Sequence, residues 1–448
     1  MDSLLCKSTS IMTMSPLLFS ILNGSGRAEH GRSSVAGARR HLRDRRRRGE
    51  GTVSRQGPGI SPFFNCGKIQ PSRVPYTHCQ QPRHETNRYF TLPCIFFLHE
   101  ASKRYHVTIM NEINYLESLS LENPLYIDVR SPGEFADDHI PGAVNIPIFD
   151  NDERKEIGTL YKMTGKDRAI VRGTEIAGGK LSHIVSDIRQ YRDRSLVIYC
   201  ARGGMRSGSV TSLLISLGMK VRRLDQGYKG YRRHVREALT SLTIEKPVFI
   251  IQGLTGTGKS EILAHIPESL DLEGMAGHRS SLFGAIGLEQ SSQKKFESLI
   301  LHRLNELTDA PFIAIEGESR KIGNLHIPDA LFSLMRRSPA VLITAPMERR
   351  AEIIVNEYGP DCTADVVIPI VHSLNRKLGR ETIAALEEMF LAGNLIDFTS
   401  LLLEKYYDPL YQHSLKRFEY LGEVENFKSI EAAEKVRNIL QDQVAPGE

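Results

Sequence analysis

Cys200 lies in a segment whose composition would activate a thiol. Residues 199–207 read Tyr-Cys-Ala-Arg-Gly-Gly-Met-Arg-Ser, after an apolar run that predicts a buried strand and before a stretch with helical spacing. A thiol at this strand end would lie near a helix N-terminus and beside Arg202 and Arg206, and both surroundings favour the thiolate. Gly203 and Gly204 would let backbone amides turn towards an anion. We predict a nucleophile at Cys200 in an anion-binding loop; the alternative is a buried structural cysteine.

The second chemical motif is a phosphate-binding loop. The buried strand 248–252 is followed by Gly-Leu-Thr-Gly-Thr-Gly-Lys-Ser and by a helical segment, which is the G-x-x-x-x-G-K-[ST] motif in its strand–loop–helix setting. The loop amides and the helix N-terminus would bind a di- or triphosphate, Lys259 would neutralise it, and Ser260 could hold Mg²⁺. The motif predicts phosphate binding without specifying hydrolysis. The predicted contacts are Gly253, Thr255, Gly256, Gly258, Lys259 and Ser260.

Other polar and aromatic residues follow predicted strands or open predicted helices. Carboxylates at strand ends near a phosphate-binding loop either hold a metal or activate water, or are solvated turn residues, and we leave both open for Asp271, Glu273, Glu316 and Glu318. Arg349 and Arg350 could reach phosphates, but a solvated helix start is favoured. The tyrosines of residues 406–411, where the helical pattern breaks, could stack on bases or an apolar chain, but packing is favoured.

Composition and charge limit the class of protein. With 448 residues, 40% of them hydrophobic and 25% charged, the chain is long enough for two or three domains. Residues 1–109 contain 17 Lys and Arg and 6 Asp and Glu, a net charge of 17 − 6 = +11, whereas the rest of the chain has a net charge of 41 − 47 = −6. Because this remainder is acidic, any nucleic acid that it binds must contact local basic patches. After residue 109 only Cys200 and Cys362 occur, which excludes a disulfide framework and favours a reducing cytosol. No apolar run of about 18 residues predicts a membrane span. We expect a cytoplasmic monomer.

The order of elements predicts the domains. Residues 1–109 are expected to be disordered or a non-native extension, with an arginine-rich run at 39–48 that would bind RNA if native, and Met110 is favoured as the true start. Strands and helices then alternate, with residues 227–231 predicted as a turn, which indicates α/β domains with parallel sheets and helices on their faces. We predict a first domain at 110–242 and a phosphate-binding domain with C-terminal helices at 247–440.

Three motifs of the first domain resemble the rhodanese family. They are Asp-Val-Arg-Ser-Pro-Gly-Glu-Phe from Asp128, His-Ile-Pro-Gly-Ala-Val-Asn-Ile-Pro from His139, and the Cys200 loop. The resemblance implies a rhodanese-like parallel sheet. We expect Asp128, Arg130, Glu134 and His139 to brace this fold, with a catalytic role as the less favoured alternative. The spacing from Cys200 to Arg206 is C-x5-R, longer than in sulfur-transferring rhodaneses, and it suits a tetrahedral phosphate-like anion as in cysteine phosphatases. Tyr199 stands where those phosphatases carry histidine.

The combination of this domain with a P-loop domain indicates the family more specifically than the three rhodanese motifs alone. Together with Asp-Leu-Glu-Gly-Met-Ala-Gly-His-Arg from Asp271 and Gly-Glu-Ser-Arg-Lys-Ile-Gly from Gly317, it resembles the tRNA 2-selenouridine synthase family from Met110 to the C-terminal helices. The resemblance implies transfer of a geranyl group from geranyl diphosphate to the sulfur of wobble 2-thiouridine in tRNA, followed by replacement of that sulfur with selenium from selenophosphate. It also implies a selenophosphate-supplying enzyme as a partner.

Two other functions remain open at this stage. The chain could be an NTP-dependent kinase or ATPase with a regulatory rhodanese module that binds without reacting. It could also be a binding protein for thiolated tRNA with two degenerate sites, although the intact Cys200 and Lys259 argue against degeneracy.

Overall fold

A computed structural model describes residues 111–444, so the predicted extension 1–109 and the favoured start Met110 lie outside the described residues. The described chain contains two α/β domains, which we call the first domain (residues 111–242) and the second domain (residues 247–444). Each is built on a five-stranded sheet whose strand pairs are all parallel. The predicted α/β fold class is confirmed.

The sheet of the first domain has the order β1-β5-β4-β2-β3. Its central strand, β4, ends one residue before Cys200, so the loop leaves the carboxyl end of the sheet, where ligands bind in open α/β folds. The strands are β1 (Glu112–Ile113), β2 (Pro124–Asp128), β3 (Val144–Asn145), β4 (Ser195–Tyr199) and β5 (Val221–Leu224). The helices are α1 (Tyr115–Ser118), α2 (Pro132–Asp137), α3 (Asn151–Thr164), α4 (Lys166–Arg189), α5 (Met205–Ser216) and α6 (Gly227–Thr240).

The second domain repeats this plan with the order β12-β11-β6-β8-β7, and its central strand β6 leads into the phosphate-binding loop. Its strands are β6 (Val248–Gly253), β7 (Ser269–Leu270), β8 (Ile313–Glu316), β9 (Lys321–Ile322), β10 (Leu325–His326), β11 (Ala340–Thr344) and β12 (Tyr420–Glu425), of which β9 and β10 form a separate hairpin. The helices are α7 (Lys259–Ala264), α8 (Leu272–Ala276), α9 (Gln293–Glu306), α10 (Asp329–Met335), α11 (Met347–Tyr358), α12 (Ala364–Ser373), α13 (Asn375–Leu378), α14 (Arg380–Leu391), α15 (Leu395–Leu402), α16 (Asp408–Leu415) and α17 (Ser429–Asp442). Short 3₁₀ segments lie at Leu307–Asp309 and Gly359–Asp361.

Two local predictions were wrong. The predicted turn at 227–231 is the first turn of α6, because its N-terminal amides find acceptors in the Cys200 loop instead of ending a local turn. The predicted break at 406–411 is a π-helical turn, Leu403–Tyr407, that runs on into α16. Pro409 is tolerated there because it lies in the first turn of α16. The edge strand β12 was not predicted from the sequence.

The two domains share one hydrophobic core. Tyr231 and Val235 of α6 belong to the same buried cluster as Phe296 and Ile300 of α9. Buried Asp138 of the first domain joins this contact, because its Oδ2 accepts hydrogen bonds from Tyr228 (2.8 Å) and from Ser298 of α9 (3.1 Å). Within residues 111–444, none of the helices has both the length and the apolar character needed to cross a bilayer.

Candidate active sites

Cys200 sits in a tight loop between β4 and the start of α5. The residue is 3% exposed, and its Sγ lies 3.2 Å from the Oγ of Ser207. Burial alone would raise the pKa of the thiol, but the hydroxyl of Ser207, the amides of Ser207 and Arg202 and the charge of Arg206 lower the pKa below its ordinary value. Cys200 itself is buried, whereas Arg202 and Gly204 of the same loop are exposed. The lowered pKa favours the thiolate, which is the nucleophilic form of cysteine.

Helix α6 holds this loop in place through two backbone hydrogen bonds. The amide of Tyr228 donates to the carbonyl of Cys200 (2.9 Å), and the amide of Lys229 donates to that of Ala201 (3.0 Å). Gly227 permits this approach, because it has φ +51° and a Cβ there would lie 2.1 Å from the Cys200 carbonyl oxygen. The loop geometry therefore depends on a helix that begins 27 residues after the cysteine, which follows from the positions 200 and 227.

Arg206 is held by an acidic residue of α2. Its guanidinium donates to both carboxylate oxygens of Glu134, at 2.7 and 3.2 Å, and Arg154 of α3 lies 3.3 Å from the same carboxylate. Burial would raise the pKa of Glu134, but the pair with Arg206 lowers it to about 2. Of the two predicted anion-binding arginines, Arg206 is thus oriented by Glu134, whereas Arg202 is exposed at the loop surface.

The other motif residues of the first domain brace the loop's surroundings. Arg130 and Asp128 form a buried pair with 2.6 Å between Nη2 and Oδ2, and the guanidinium lies 4.0 Å from the ring centre of Tyr228. His139 stacks on Phe135, with 3.8 Å between ring centres. Arg130 also lies 5.7 Å from the ring centre of Tyr199, so its contacts connect the ends of β2 and β4 with α6.

The phosphate-binding loop has the expected shape at the carboxyl end of β6. Gly258 has φ +82°, and a Cβ there would lie 2.4 Å from the Nδ2 of Asn426, so glycine is required. Lys259 opens α7 with its Nζ 3.3 Å from the carbonyl of Leu254 and 3.9 Å from Glu316. All six predicted contact residues, Gly253, Thr255, Gly256, Gly258, Lys259 and Ser260, line one cavity.

Residues from distant parts of the chain hold this loop. Arg350 donates to the carbonyl of Thr255 at 2.9 Å and forms a two-fold ion pair with Asp408, at 2.6 and 2.9 Å. The favoured interpretation of Arg350 as a solvated helix residue was wrong: its side chain is 5% exposed and positions the loop. Buried Asn426, which follows β12, donates to the carbonyl of Thr257 at 2.8 Å.

Three of the four candidate carboxylates converge beside Ser260. Oxygens of Glu273, Glu316 and Glu318 lie within 4.8 Å of one another, and the Ser260 hydroxyl is 3.3 Å from both Glu273 and Glu316. Burial raises the pKa of all three carboxyls, and repulsion from Glu273 raises the pKa of Glu316 and Glu318 further, that of Glu318 to about 8. Such a set of crowded hard oxygens fits Mg²⁺. The fourth, Asp271, is exposed and instead caps α8 by accepting from the amide of Gly274 at 2.8 Å.

The cavity continues from the phosphate-binding loop into an apolar chamber. Its volume is about 540 Å³. Away from the loop it is lined by side chains of the C-terminal helices and of the segment before α9, chiefly Phe283, Ile354, Phe390, Phe398, Leu402 and Leu403. Tyr407 and Tyr411 also line it, with Tyr407 buried in the local core, which agrees with the packing role favoured for these tyrosines.

Comparisons with known proteins agree with this two-domain arrangement. Residues 114–234 match the model of the rhodanese-like domain, and residues 246–445 match that of the tRNA 2-selenouridine synthase AAA domain. The tRNA 2-selenouridine synthase of Proteus mirabilis is 32% identical over 335 residues, which cover 68% of this chain and 92% of that protein. The chain belongs to the tRNA 2-selenouridine synthase family.

Other members of this family show similar sequence identity and coverage. The tRNA 2-selenouridine synthase of Shewanella woodyi is 31% identical over 69% of this chain and 92% of that protein. The tRNA 2-selenouridine synthase of Salmonella arizonae is 32% identical over 68% of this chain and 94% of that protein. The predicted resemblance to the family is thereby confirmed.

In this family member, sequence reasoning missed several residues that shape the two sites. Ser207 could have been found, because it directly follows Arg206 in the motif. The pair of Arg350 with Asp408 and the contact from Asn426 carried no local signal, since 58 and 169 residues separate the partners. The apolar chamber was missed for the same reason.

Proposed function

We propose that this chain modifies tRNA in two steps: it geranylates the sulfur of wobble 2-thiouridine and then replaces that sulfur with selenium. The observation that carries the proposal is a phosphate-binding loop that opens into an apolar chamber. A diphosphate would bind at Lys259 and Ser260 while a hydrocarbon chain fills the space beside Phe398 and Leu402. This division of polar and apolar surface suits an isoprenoid diphosphate such as geranyl diphosphate.

In the first step, a bond forms between the thiouridine sulfur and C1 of the geranyl group, the C1–O bond to diphosphate breaks, and the N3 proton of the uracil ring is released to solvent. Lys259 and the loop amides stabilise the negative charge that develops on the departing diphosphate. When bound at Ser260, Glu273, Glu316 and Glu318, Mg²⁺ would add further charge neutralisation. The chamber keeps the geranyl group away from water until the sulfur reaches it.

In the second step, the Cys200 loop takes selenophosphate as its tetrahedral anion. Attack of the Cys200 thiolate on phosphorus would form an S–P bond, break the P–Se bond and release hydrogenselenide. Hydrogenselenide then attacks C2 of the modified uridine, and geranylthiolate leaves with the bonding electron pair. Water hydrolyses the S–P bond, so that phosphate is released and Cys200 is regenerated. Alkylation makes the sulfur a better leaving group, which explains why one chain holds both sites.

Nucleoside mass spectrometry of tRNA tests this proposal. With geranyl diphosphate and selenophosphate supplied, Lys259→Ala should abolish formation of the S-geranyl nucleoside, whereas Cys200→Ser should let that nucleoside accumulate without 2-selenouridine. Phe398→Trp should narrow the chamber and reduce geranylation while leaving selenation of pre-geranylated tRNA unchanged. A Lys259→Ala variant that geranylates normally would refute the role of the loop. Sustained NTP hydrolysis without geranyl diphosphate would instead support the alternative of an NTP-dependent kinase or ATPase.

A further inference from the structure

A helical hairpin projects from the first domain between β3 and β4. Helices α3 and α4 meet at Gly165, which has φ +91°, and they run antiparallel. The antiparallel packing is fixed by ion pairs of Arg172 with Glu156, at 2.7 Å, and of Lys180 with Glu153. At 1.5 Å per residue, the 14 residues of α3 span about 21 Å.

The base of this hairpin packs against α2, whose Glu134 also holds Arg206 of the cysteine motif. Arg154 of α3 shares the carboxylate of Glu134 with Arg206, and the amide of Gly133 donates to the Oδ1 of Asn151 at 2.7 Å. The base of the hairpin is therefore linked to Arg206 through a single shared carboxylate, that of Glu134. Its turn lies about 16 Å beyond Arg154 along the helix axis.

The hairpin tip, which we define as residues 160–172, is a basic segment of a globular chain that is acidic as a whole. It carries 4 − 1 = +3 charges, whereas residues 110–448 as a whole carry −6. Lys162, Lys166 and Arg168 are exposed and form no ion pair with any residue between 111 and 444. The only acidic residue of the tip is Asp167.

Exposed apolar side chains lie among these basic residues. Tyr161 is 55% exposed and Met163 is 78% exposed, on either side of Lys162. Basic residues interleaved with an aromatic ring are suited to RNA, because the cations contact phosphates while the ring stacks on a base. The opposite charge of the remaining chain means that a polyanion is attracted to the tip in preference to most of the surface.

From this charge and position we infer that the hairpin tip binds the sugar–phosphate backbone of the substrate tRNA. This inference rests on the proposed function for the identity of the RNA. With the tip held on the RNA, the base of the hairpin directs the bound nucleic acid towards the rim of the Cys200 loop. The tip thus acts as a positioning surface and touches no reacting atom.

Equilibrium binding to full-length tRNA that carries wobble 2-thiouridine, measured at several salt concentrations, tests the inference. The variant K162E/K166E/R168E should bind at least about tenfold more weakly, and the slope of log affinity against log salt should fall by about two to three, since each lost phosphate contact removes about one. The matched control R192E/K428E/K435E makes the same change in net charge at exposed positions outside the tip. Equal affinities and slopes for the two triple variants would overturn the inference.

Substitution of the uncharged Tyr161 separates the effect of local contact on tRNA binding from that of long-range charge. Tyr161→Ala should weaken binding by about fivefold or more without altering the salt slope, while Tyr161→Phe, which keeps the ring, should bind as the unaltered chain does. Wild-type affinity for Tyr161→Ala would count against contact at the tip. If the unaltered chain binds tRNA through the tip but yields no geranylated or selenated nucleoside, the proposed chemistry fails and the binding surface stands. If the tip variants bind normally while product forms, the surface fails and the chemistry stands.

Discussion

The hydroxyl oxygen of Ser207 lies 3.2 Å from the sulfur of Cys200, and both residues are buried. Ser207 is in the first turn of α5, so the sulfur also faces the amide end of that helix. The same hydroxyl lies 3.4 Å from the carbonyl of Gly204. A cysteine buried without such partners would have a raised pKa, whereas these contacts lower the pKa of Cys200 below its ordinary value.

Ser207→Ala should therefore raise the pKa of the Cys200 thiol and slow its alkylation at neutral pH. The measurement is the rate of iodoacetamide labelling of the Cys200 peptide against pH, read by mass spectrometry. Cys362 serves as an internal control, because burial raises its pKa and Ser207 does not contact it. An unchanged pH profile at Cys200 would show that the hydroxyl does not stabilise the thiolate.

Glu134→Gln should tighten the binding of a phosphate-like donor. Glutamine retains the capping contacts of α2 but removes the charge that offsets Arg206. We expect the KM for selenophosphate to fall about fivefold, which corresponds to the ~1 kcal/mol between unit charges at 4 Å in water. Arg206→Gln is the matched variant and should raise the KM. A rise in KM for both variants would mean that Glu134 serves the anion site chiefly by orienting Arg206.

The carboxylate cluster predicts a response to Mg²⁺ that depends on pH. Because the pKa of Glu318 is raised from 4.5 to about 8, its contribution to folding stability is fully present below pH 4.5 and is lost progressively as the pH rises from there through about 8. Mg²⁺ competes with these protons, so it should raise Tm more at pH ~8.5 than at pH ~6.5. Thermal unfolding with and without Mg²⁺ measures this effect. Glu318→Gln should reduce the difference, and an equal response at both pH values would contradict a cation site.

The ion pair between Arg350 and Asp408 predicts a large effect on stability. Asp408→Asn would leave the guanidinium of Arg350 buried without its partner charge, which costs about 3–5 kcal/mol for a broken buried pair. Urea unfolding measures the loss, and geranylation should weaken as well, since Arg350 holds the Thr255 carbonyl. The exposed pair of Arg320 with Asp329 is the control: Asp329→Asn should change the free energy of unfolding by less than about 1 kcal/mol. Similar losses in both variants would contradict the buried pair's role.

Much of the fold could be predicted from the local pattern of apolar and glycine residues in the sequence. The strands before Cys200 and before Gly253 are apolar and bounded by glycine-rich loops, so their type and their order along the chain could be predicted. The start of α6 could not, because Gly227 and Gly230 suggest a turn while the acceptors for its first amides lie at Cys200 and Ala201. Strand β12 could not be predicted either, since it pairs with β11 from 80 residues away (Ala340 opposite Tyr420).

By itself, the sequence determined where the two candidate loops lie, because a cysteine loop and a phosphate-binding loop are each contiguous and their backbone chemistry is local. Only the tertiary structure decided what surrounds them. Glu134 meets Arg206 across 72 residues, the three glutamates come from two different strand ends, and the chamber is lined by side chains as far apart in the chain as Phe283 and Leu403. Such contacts depend on how sheets and helices pack, and packing joins residues that have no periodic relation in the chain.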